Sequence, residues 1–481
     1  MTPISLRPAA ALAAAAWLVS CARPPAVDPT MVATWMQTMY GTFRVERVSP
    51  PVASRLLGYA TTALYAGLAV ADARMAPLSG ALNGFPQLPK PEEGREYDGT
   101  LAAVAAERVV MDSLLRETLP TTRAAVARLA DSLVGARVAS GVRDDAKQQS
   151  SDIGHRIGLA IVAWSRTDGF DSTRGRKYVP PIGLGLWVND APGNTFAQQN
   201  LSGASEFVGL DNPANIMRPG SVSDRGLILN RPKKQNATLP AVNMSGMSEP
   251  YWAQVRPFVL KRWDECPLPD APSYSLATTS VAYLDAKFVQ VTRATLTPEQ
   301  RAIAFYWADN AGESGTPVGH WISIASQMVS ERHLSAPDGA RVMVLTSVAM
   351  ADAFIASWGY KYRHNYLRPR PFIRRTIEST WEPLIATPPF PEYPSGHSTQ
   401  SAAAATVLTS LIGPVAFVDS TGLSIGNAVR QFESFNVAAE EAGMSRVYGG
   451  IHFPSANVNG RALGTCIGAT VVARFNRSAK S

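Results

Sequence analysis

Apolar side chains recur at helical spacing over residues 54–73 and again over 101–119, with Pro51 and Pro120 as punctuation, so both stretches predict helices. Thr121 or Thr122 is a candidate cap for a third helix, in which Val126, Leu129, Leu133 and Val134 form an apolar stripe read as core, and residues 153–164 predict a fourth. Over residues 168–250 the pattern turns to Gly, Pro, Asn and Ser with no sustained period, which predicts a long loop region and an insertion, 194–248, of no evident purpose. Helical patterning resumes over 275–294, and Thr297-Pro298-Glu299-Gln300 predicts a helix start with Thr297 as cap and Pro298 in the first turn. Further helices are predicted over 300–309, 320–331, 338–356, 398–411 and 424–441. No alternating run is long enough to make a sheet. The fold class is therefore all-α: two packed helical bundles over residues 21–180 and 271–481, a loop-rich connection at 181–270, and the chemistry in the C-terminal bundle.

Composition adds limits. With 481 residues, 46% of them hydrophobic, the chain can bury one large core or two ordinary ones. The formal charge is +7, but the basic residues are scattered and no dense Lys/Arg stripe with interleaved aromatics appears, which disfavours nucleic acid as a partner. Residues 1–20 have the form of a targeting segment: Arg7 is the positive n-region, 9–18 the apolar run, and Leu18-Val19-Ser20-Cys21 the processing site. Those last four residues resemble a bacterial lipobox, which implies that Cys21 is lipidated, whereas an ordinary signal peptide or a short anchor helix would have the same hydropathy. Cys266 and Cys466 are then the remaining cysteines, too few for a disulfide framework; one bridge and two buried thiols both fit. The apolar stretch 402–418 is interrupted by Thr406, Thr409, Ser410 and Pro414, so it reads as a buried helix and not as a membrane span.

Three short segments carry the candidate chemistry. Lys361 and Arg368 in Lys361-Tyr-Arg-His-Asn-Tyr-Leu-Arg368-Pro369 are seven residues apart, which on one continuous helix is two turns and one face. Two fixed positive charges so placed suit a tetrahedral oxyanion. Pro394-Ser395-Gly396-His397 then precedes a predicted helix, whose N-terminal N–H groups and the Ser395 hydroxyl would donate to an anion, while Gly396 allows close approach of the backbone. His397 changes protonation near neutral pH. Ser445-Arg446-Val-Tyr-Gly-Gly-Ile-His452 adds a guanidinium suited to bidentate anion contact and a second histidine. Other chemistries fit poorly. His155, His320, His333 and His364 have no zinc-type spacing, and Ser395 lacks a G-x-S-x-G turn.

Together, in this order, the three segments resemble the signature of the superfamily that joins type-2 phosphatidic acid phosphatases to vanadium-dependent haloperoxidases: K-x6-R-P, P-S-G-H, S-R-x5-H-x3-D. Tyr178-Val-Pro-Pro-Ile-Gly-Leu-Gly-Leu-Trp187, Tyr251-Trp-Ala-Gln-Val-Arg-Pro-Phe258, Gly319-His-Trp321 and Pro388-Pro-Phe-Pro-Glu-Tyr-Pro-Ser-Gly-His397 are similar to the soluble bacterial haloperoxidase-like branch. The resemblance implies vanadate as cofactor, bonded to Nε2 of His452, with Lys361, Arg368, Arg446, Ser395 and Gly396 around its oxygens and His397 as acid and base. It implies hydrogen peroxide and a halide as substrates. Trp358 and Phe390 resemble the aromatic lining of a halide pocket, with plain core packing as the other reading. Asp309 resembles a family acid that pairs with a site arginine; a solvated surface carboxylate fits it equally. The same residues would serve an acid phosphatase acting on a phosphate ester through a phosphohistidine at His452.

The departure lies at the end of the signature, where the family's aspartate is Ala456. A carboxylate on the second ring nitrogen would fix the tautomer of His452 and raise its basicity. Asn457, Asn459 or a main-chain carbonyl are the expected substitutes, and a non-catalytic oxyanion-binding lipoprotein is the reading this loss favours. By the lipobox resemblance, with Ala22 and no aspartate beside Cys21, the expected location is the outer membrane, facing the periplasm.

Overall fold

The computed structural model describes residues 29–176, 178–188 and 249–479. The leader, Cys21 and the 194–248 insertion lie outside them. The first helices are α1 (Thr30–Glu46), α2 (Pro50–Leu68), α3 (Gly99–Leu114), α4 (Pro120–Ala139), α5 (Asp144–Ser165) and the short α6 (Phe170–Thr173). Beyond the connection come α7 (Val281–Ala294), α8 (Pro298–Tyr306), α9 (Thr316–Glu331), α10 (Ala336–His364), α11 (Pro369–Thr376) and α12 (Gly396–Ile412). A two-stranded antiparallel hairpin, β1 (Phe417–Asp419) with β2 (Arg430–Phe432), precedes α13 (Phe435–Tyr448) and α14 (Pro454–Ser478).

The all-α reading holds, and the departures from it are local. α8 begins with the expected capping box: Thr297 Oγ1 accepts from Gln300 N at 3.2 Å and Gln300 Oε1 accepts from Thr297 N at 3.0 Å. α4 starts at Pro120 with no side-chain cap, so neither Thr121 nor Thr122 serves as one. The helix predicted over 424–441 is displaced to α13, because the segment before it makes the hairpin. Val418 pairs with Gln431 there, and Phe417 with Phe432, whose side chains are buried.

α10 organises the molecule. Its length and composition suffice to cross a membrane, yet its apolar window is entirely buried, so in this fold it is a core helix. It packs on α2 from the N-terminal set and on α12 from the C-terminal set, and one apolar cluster runs from Met31 to Phe475 across both. α14 lies close against α12 because Gly460, Gly464 and Gly468 face it; a Cβ at Gly464 would collide with the Thr399 carbonyl. Cys266 and Cys466 are joined, Cα to Cα 5.9 Å, so the disulfide alternative is the one realised.

Candidate oxyanion site

Lys361 and Arg368 do not share a helix face. α10 ends at His364, and Asn365 takes the left-handed conformation (φ 47°), so Arg368 sits beyond a turn as the cap of α11. Tyr178 Oη donates to Asn365 Oδ1 at 2.7 Å and Trp187 N to the Asn365 carbonyl at 2.6 Å, which gives the conspicuous 178–187 segment its job: it clamps the turn that returns Arg368 to the site. Lys361 and Arg368 still converge, both fully buried, because the chain reverses between them.

The Lys361 ammonium donates to the carbonyls of Pro391 (3.1 Å), Glu392 (2.9 Å) and Pro394. Three donors meet three acceptors. Lys361 therefore braces the loop that carries Ser395, and a direct bond to an anion requires one of those carbonyls to give way. Burial, and then the Arg368 charge, hold its pKa well below the ordinary lysine value. Trp358 and Phe390 lie together, ring centroids 4.9 Å apart, with Lys361 Nζ 5.1 Å and Arg368 Cζ 4.8 Å from the Phe390 centroid. These distances are in the cation–π range.

At the centre is His452. Its Nδ1 is 2.8 Å from Glu392 Oε1, an oxygen that also accepts from Phe453 N at 2.9 Å. Its Nε2 is 3.1 Å from Arg368 Nη1, which can only donate. The ring thus carries its proton on Nδ1 and presents a lone pair at Nε2. Burial, then Arg368 and Lys361, hold its pKa well below the usual histidine range. Burial pushes the Glu392 carboxyl up to about 7, against the pull of Arg368, the Phe453 N–H and Lys361.

Glu392 answers the question posed by Ala456. The expected substitutes are engaged elsewhere: Asn457 Oδ1 accepts from Ser398 Oγ at 2.7 Å, and Asn459 Nδ2 donates to Tyr393 Oη at 2.9 Å. The partner comes from a different loop, 60 residues earlier. Ala456 itself is fully buried among apolar side chains, and its carbonyl accepts from Ser395 N at 3.1 Å. Sequence reading missed Glu392 although it lies inside the quoted Pro388–His397 segment; a lone carboxylate in a run of prolines and aromatics was the available signal.

Ser395 caps α12, accepting from Ser398 N at 3.3 Å, with the Ser398 hydroxyl 2.8 Å away. A Cβ at Gly396 would lie 3.2 Å from Trp358 Cζ3, so the ring packs directly on this backbone. His397 is half-buried. It donates to the Trp307 carbonyl, and its Nε2 has no hydrogen-bond partner among the described residues. Burial, then the charges of Arg446 and His320, keep it neutral well below its ordinary pKa. Arg446 Nη2 donates to the carbonyls of Trp307 (2.7 Å) and Ala304 (3.3 Å). Burial brings its pKa down to about 10, with Asp309 opposing. Asp309 is buried, not a surface carboxylate, and it bonds His320 (3.0 Å) and Ser314 (3.2 Å) and reaches Arg446 only through space.

An all-α scaffold carrying two neutral histidines amid three buried basic side chains is an arrangement suited to an oxyanion. The comparisons make that reading specific. The family described as VCPO second helical-bundle domain matches residues 341–481. The chain is 31% identical over 127 residues to the vanadium chloroperoxidase of Curvularia inaequalis, a match spanning 21% of each chain, so about a fifth of that curated relative is covered. It superposes on the structure described as the first bacterial vanadium-dependent iodoperoxidase with a TM-score of 0.76 at 30% identity, over 94% of this chain and 97% of that one. A holo-type bacterial vanadium-dependent chloroperoxidase shares the fold, with a TM-score of 0.61 at 17% identity over 92% of this chain and 96% of that one. The chain belongs to the vanadium-dependent haloperoxidase family.

Proposed function

We propose that the protein is a vanadate-dependent haloperoxidase that oxidises a halide with hydrogen peroxide. The observation that carries the proposal is His452, fixed by Glu392 as the tautomer whose Nε2 lone pair accepts from the Arg368 guanidinium, a contact that a bound anion would replace. The donor set fits vanadate: one imidazole nitrogen to bond the metal, and cations and N–H donors for its oxygens. His452 Nε2 would hold it, with Arg368, Arg446, Ser395 and the Gly396 N–H toward the oxygens and Lys361 contributing charge from behind the loop. Bound vanadate would supply the Lewis acidity that activates peroxide toward a halide.

The chain's own residues do the rest. Arg368 and Arg446 are held by carbonyls before any ligand arrives, so little reorganisation is needed on binding. His397, neutral and with an unpartnered Nε2, is placed to take a proton and return it. Trp358 and Phe390 set an apolar aromatic pair beside Lys361 and Arg368, surroundings that suit a weakly hydrated halide. The family membership and the iodoperoxidase likeness favour the same reading over an acid phosphatase. Ala456 alone favours a non-catalytic protein, but Glu392 supplies the carboxylate that position 456 lacks. Export as a lipid-anchored, periplasm-facing protein is part of the proposal; the Cys266–Cys466 bridge supports an oxidising compartment.

A paired assay tests it. Purified protein with orthovanadate, peroxide and iodide or bromide should halogenate a dye acceptor, and protein stripped of vanadate should not. Hydrolysis of p-nitrophenyl phosphate without vanadium-dependent halogenation would replace this reading with the phosphatase.

A further inference from the structure

His320 is a buried titratable group that the mechanism above leaves unused, and both of its ring nitrogens are occupied. Nδ1 lies 3.0 Å and 3.1 Å from the two Asp309 oxygens, and Nε2 lies 2.8 Å from Asp419 Oδ2. The carboxylates have other donors as well: Ser314 Oγ gives to Asp309, and Thr421 N to Asp419 Oδ1 at 2.9 Å. An ionised carboxylate only accepts, so each ring nitrogen must carry a hydrogen, and the ring is an imidazolium. Its face is stacked on the Trp307 indole, centroids 4.3 Å apart and planes within 15°. The indole edge is fixed in turn, Nε1 donating to Glu441 Oε1 at 3.0 Å.

Trp307 is the link to the site. Its carbonyl accepts from both Arg446 and His397, a guanidinium and an imidazole of the proposed anion site. Displacement of this residue by a fraction of an ångström moves both. Resting on the oxyanion reading of the site, we propose that His320, held as a cation between Asp309 and Asp419, is a positioning residue that locks Trp307 and so aims Arg446 and His397 at the bound anion. Burial opposes that charge, but Asp309 and Asp419 outweigh it and raise the His320 pKa to about 10. The groups facing the ring are accounted for: Asp309 precedes α9, Asp419 ends β1, Tyr306 meets the ring edge-on, and Trp307 covers its face.

The test combines a direct readout with a rescue. Nitrogen-15 NMR of the wild-type imidazoles should show one ring protonated at both nitrogens that does not titrate between about pH 5 and 8.5, and that signal should vanish in His320→Gln. Calorimetry with orthovanadate, repeated with inorganic phosphate, should find affinity at least about tenfold weaker in His320→Gln and in His320→Phe. His320→Arg, which keeps the charge, donors for both carboxylates and a planar face for the indole, should recover most of it. Asp419→Asn provides a milder perturbation with the same expected direction if a His320 variant fails to fold. A merely structural role predicts lower thermal stability with unchanged anion affinity, and that result, or a singly protonated ring at pH 7, overturns the proposal. Wild-type protein that binds neither anion would instead overturn the oxyanion reading itself.

Discussion

Replacing Glu392 by Gln is the sharpest probe of the site, because it removes a charge and leaves the shape. In the wild type, Oε1 receives two N–H groups, from His452 Nδ1 at 2.8 Å and Phe453 N at 2.9 Å. A glutamine oxygen can accept both, so the tautomer survives. Hydrogen bonds to charged groups contribute about 1.5–3 kcal/mol and neutral ones about 0.5–1.5, so each contact weakens by roughly 1 kcal/mol. Only the His452 share bears on the anion. That predicts a loss of about 1 kcal/mol, or roughly 5-fold, in orthovanadate affinity, read above about pH 7, where the Glu392 carboxyl is charged. The other oxygen of Glu392 has no hydrogen-bond partner among the described residues, so the glutamine NH2 would be buried unmatched at about 1–3 kcal/mol of stability. Ala456→Asp, which would restore the family signature, should now do harm: His452 Nδ1 is already taken, and the new carboxylate would lie in an apolar cluster at roughly 3–5 kcal/mol. Calorimetry and thermal melts on both variants decide the matter. Unchanged affinity in Glu392→Gln, or a gain in Ala456→Asp, would refute the assignment of Glu392 as the partner of His452.

Arg446→Ala should weaken orthovanadate and phosphate binding by about 2–5 kcal/mol, as for a desolvated charge pair, and Arg446→Lys should recover only part of it, since Lys lacks the fork; isothermal titration checks both. Breaking the Cys266–Cys466 bridge, which closes 200 residues, should lower stability by up to about 5 kcal/mol on chain entropy, measured by denaturant unfolding of the double Ser variant; two titratable thiols in native wild-type protein would contradict the bridge. The folded chain keeps the His320 proton up to about pH 10 while the unfolded chain releases it near 6.5. Its contribution is therefore complete below about pH 6.5 and declines as pH rises through 10, by at most about 1.4 kcal/mol per unit. Lys361, depressed by burial, gives the opposite slope, so the quantity to measure is the difference between wild type and His320→Gln from about pH 7 to 10, which should shrink as pH rises.

The helices were legible where periodicity and end signals agreed. Thr297-Pro298-Glu299-Gln300 announces α8 because a capping box is local chemistry, and the apolar spacing of 54–73 reports α2 because burial is one-sided information that a sequence carries openly. The hairpin at Phe417–Phe432 was not legible: three-residue strands give too short an alternation to register against the helical residues around them. The candidate site is legible in its order of residue types, but the spacing of Lys361 and Arg368 misleads about how they meet. Seven residues suggested one helix face, whereas a left-handed Asn365 ends the helix and a reversal of the chain brings the two charges together. Tertiary return can place charges as well as helical periodicity does, and spacing alone does not distinguish them.

His452 and Glu392 carry that argument one step further. What the ring requires is an acceptor at Nδ1, at about 2.8 Å and in its plane, and nothing in that requirement specifies where along the chain the acceptor is attached. The family supplies it four residues after the histidine. Here the fold holds the 388–397 loop against the start of α14, with Ser395 N donating to the Ala456 carbonyl and Phe453 N to Glu392. A glutamate on that loop therefore reaches the ring nitrogen, and position 456 is an alanine packed at the base of α14. Lys361, which binds the Pro391, Glu392 and Pro394 carbonyls, is what holds the loop in register for this exchange. The lysine that appears in the signature as an anion ligand is thus also the support of the carboxylate that orients the histidine. A lesion at Lys361 should therefore damage His452 as well as the charge of the site, and Lys361→Met and Glu392→Gln should be strongly non-additive in a double-mutant cycle read by orthovanadate affinity. Strict additivity would show that the loop holds Glu392 in place without the lysine.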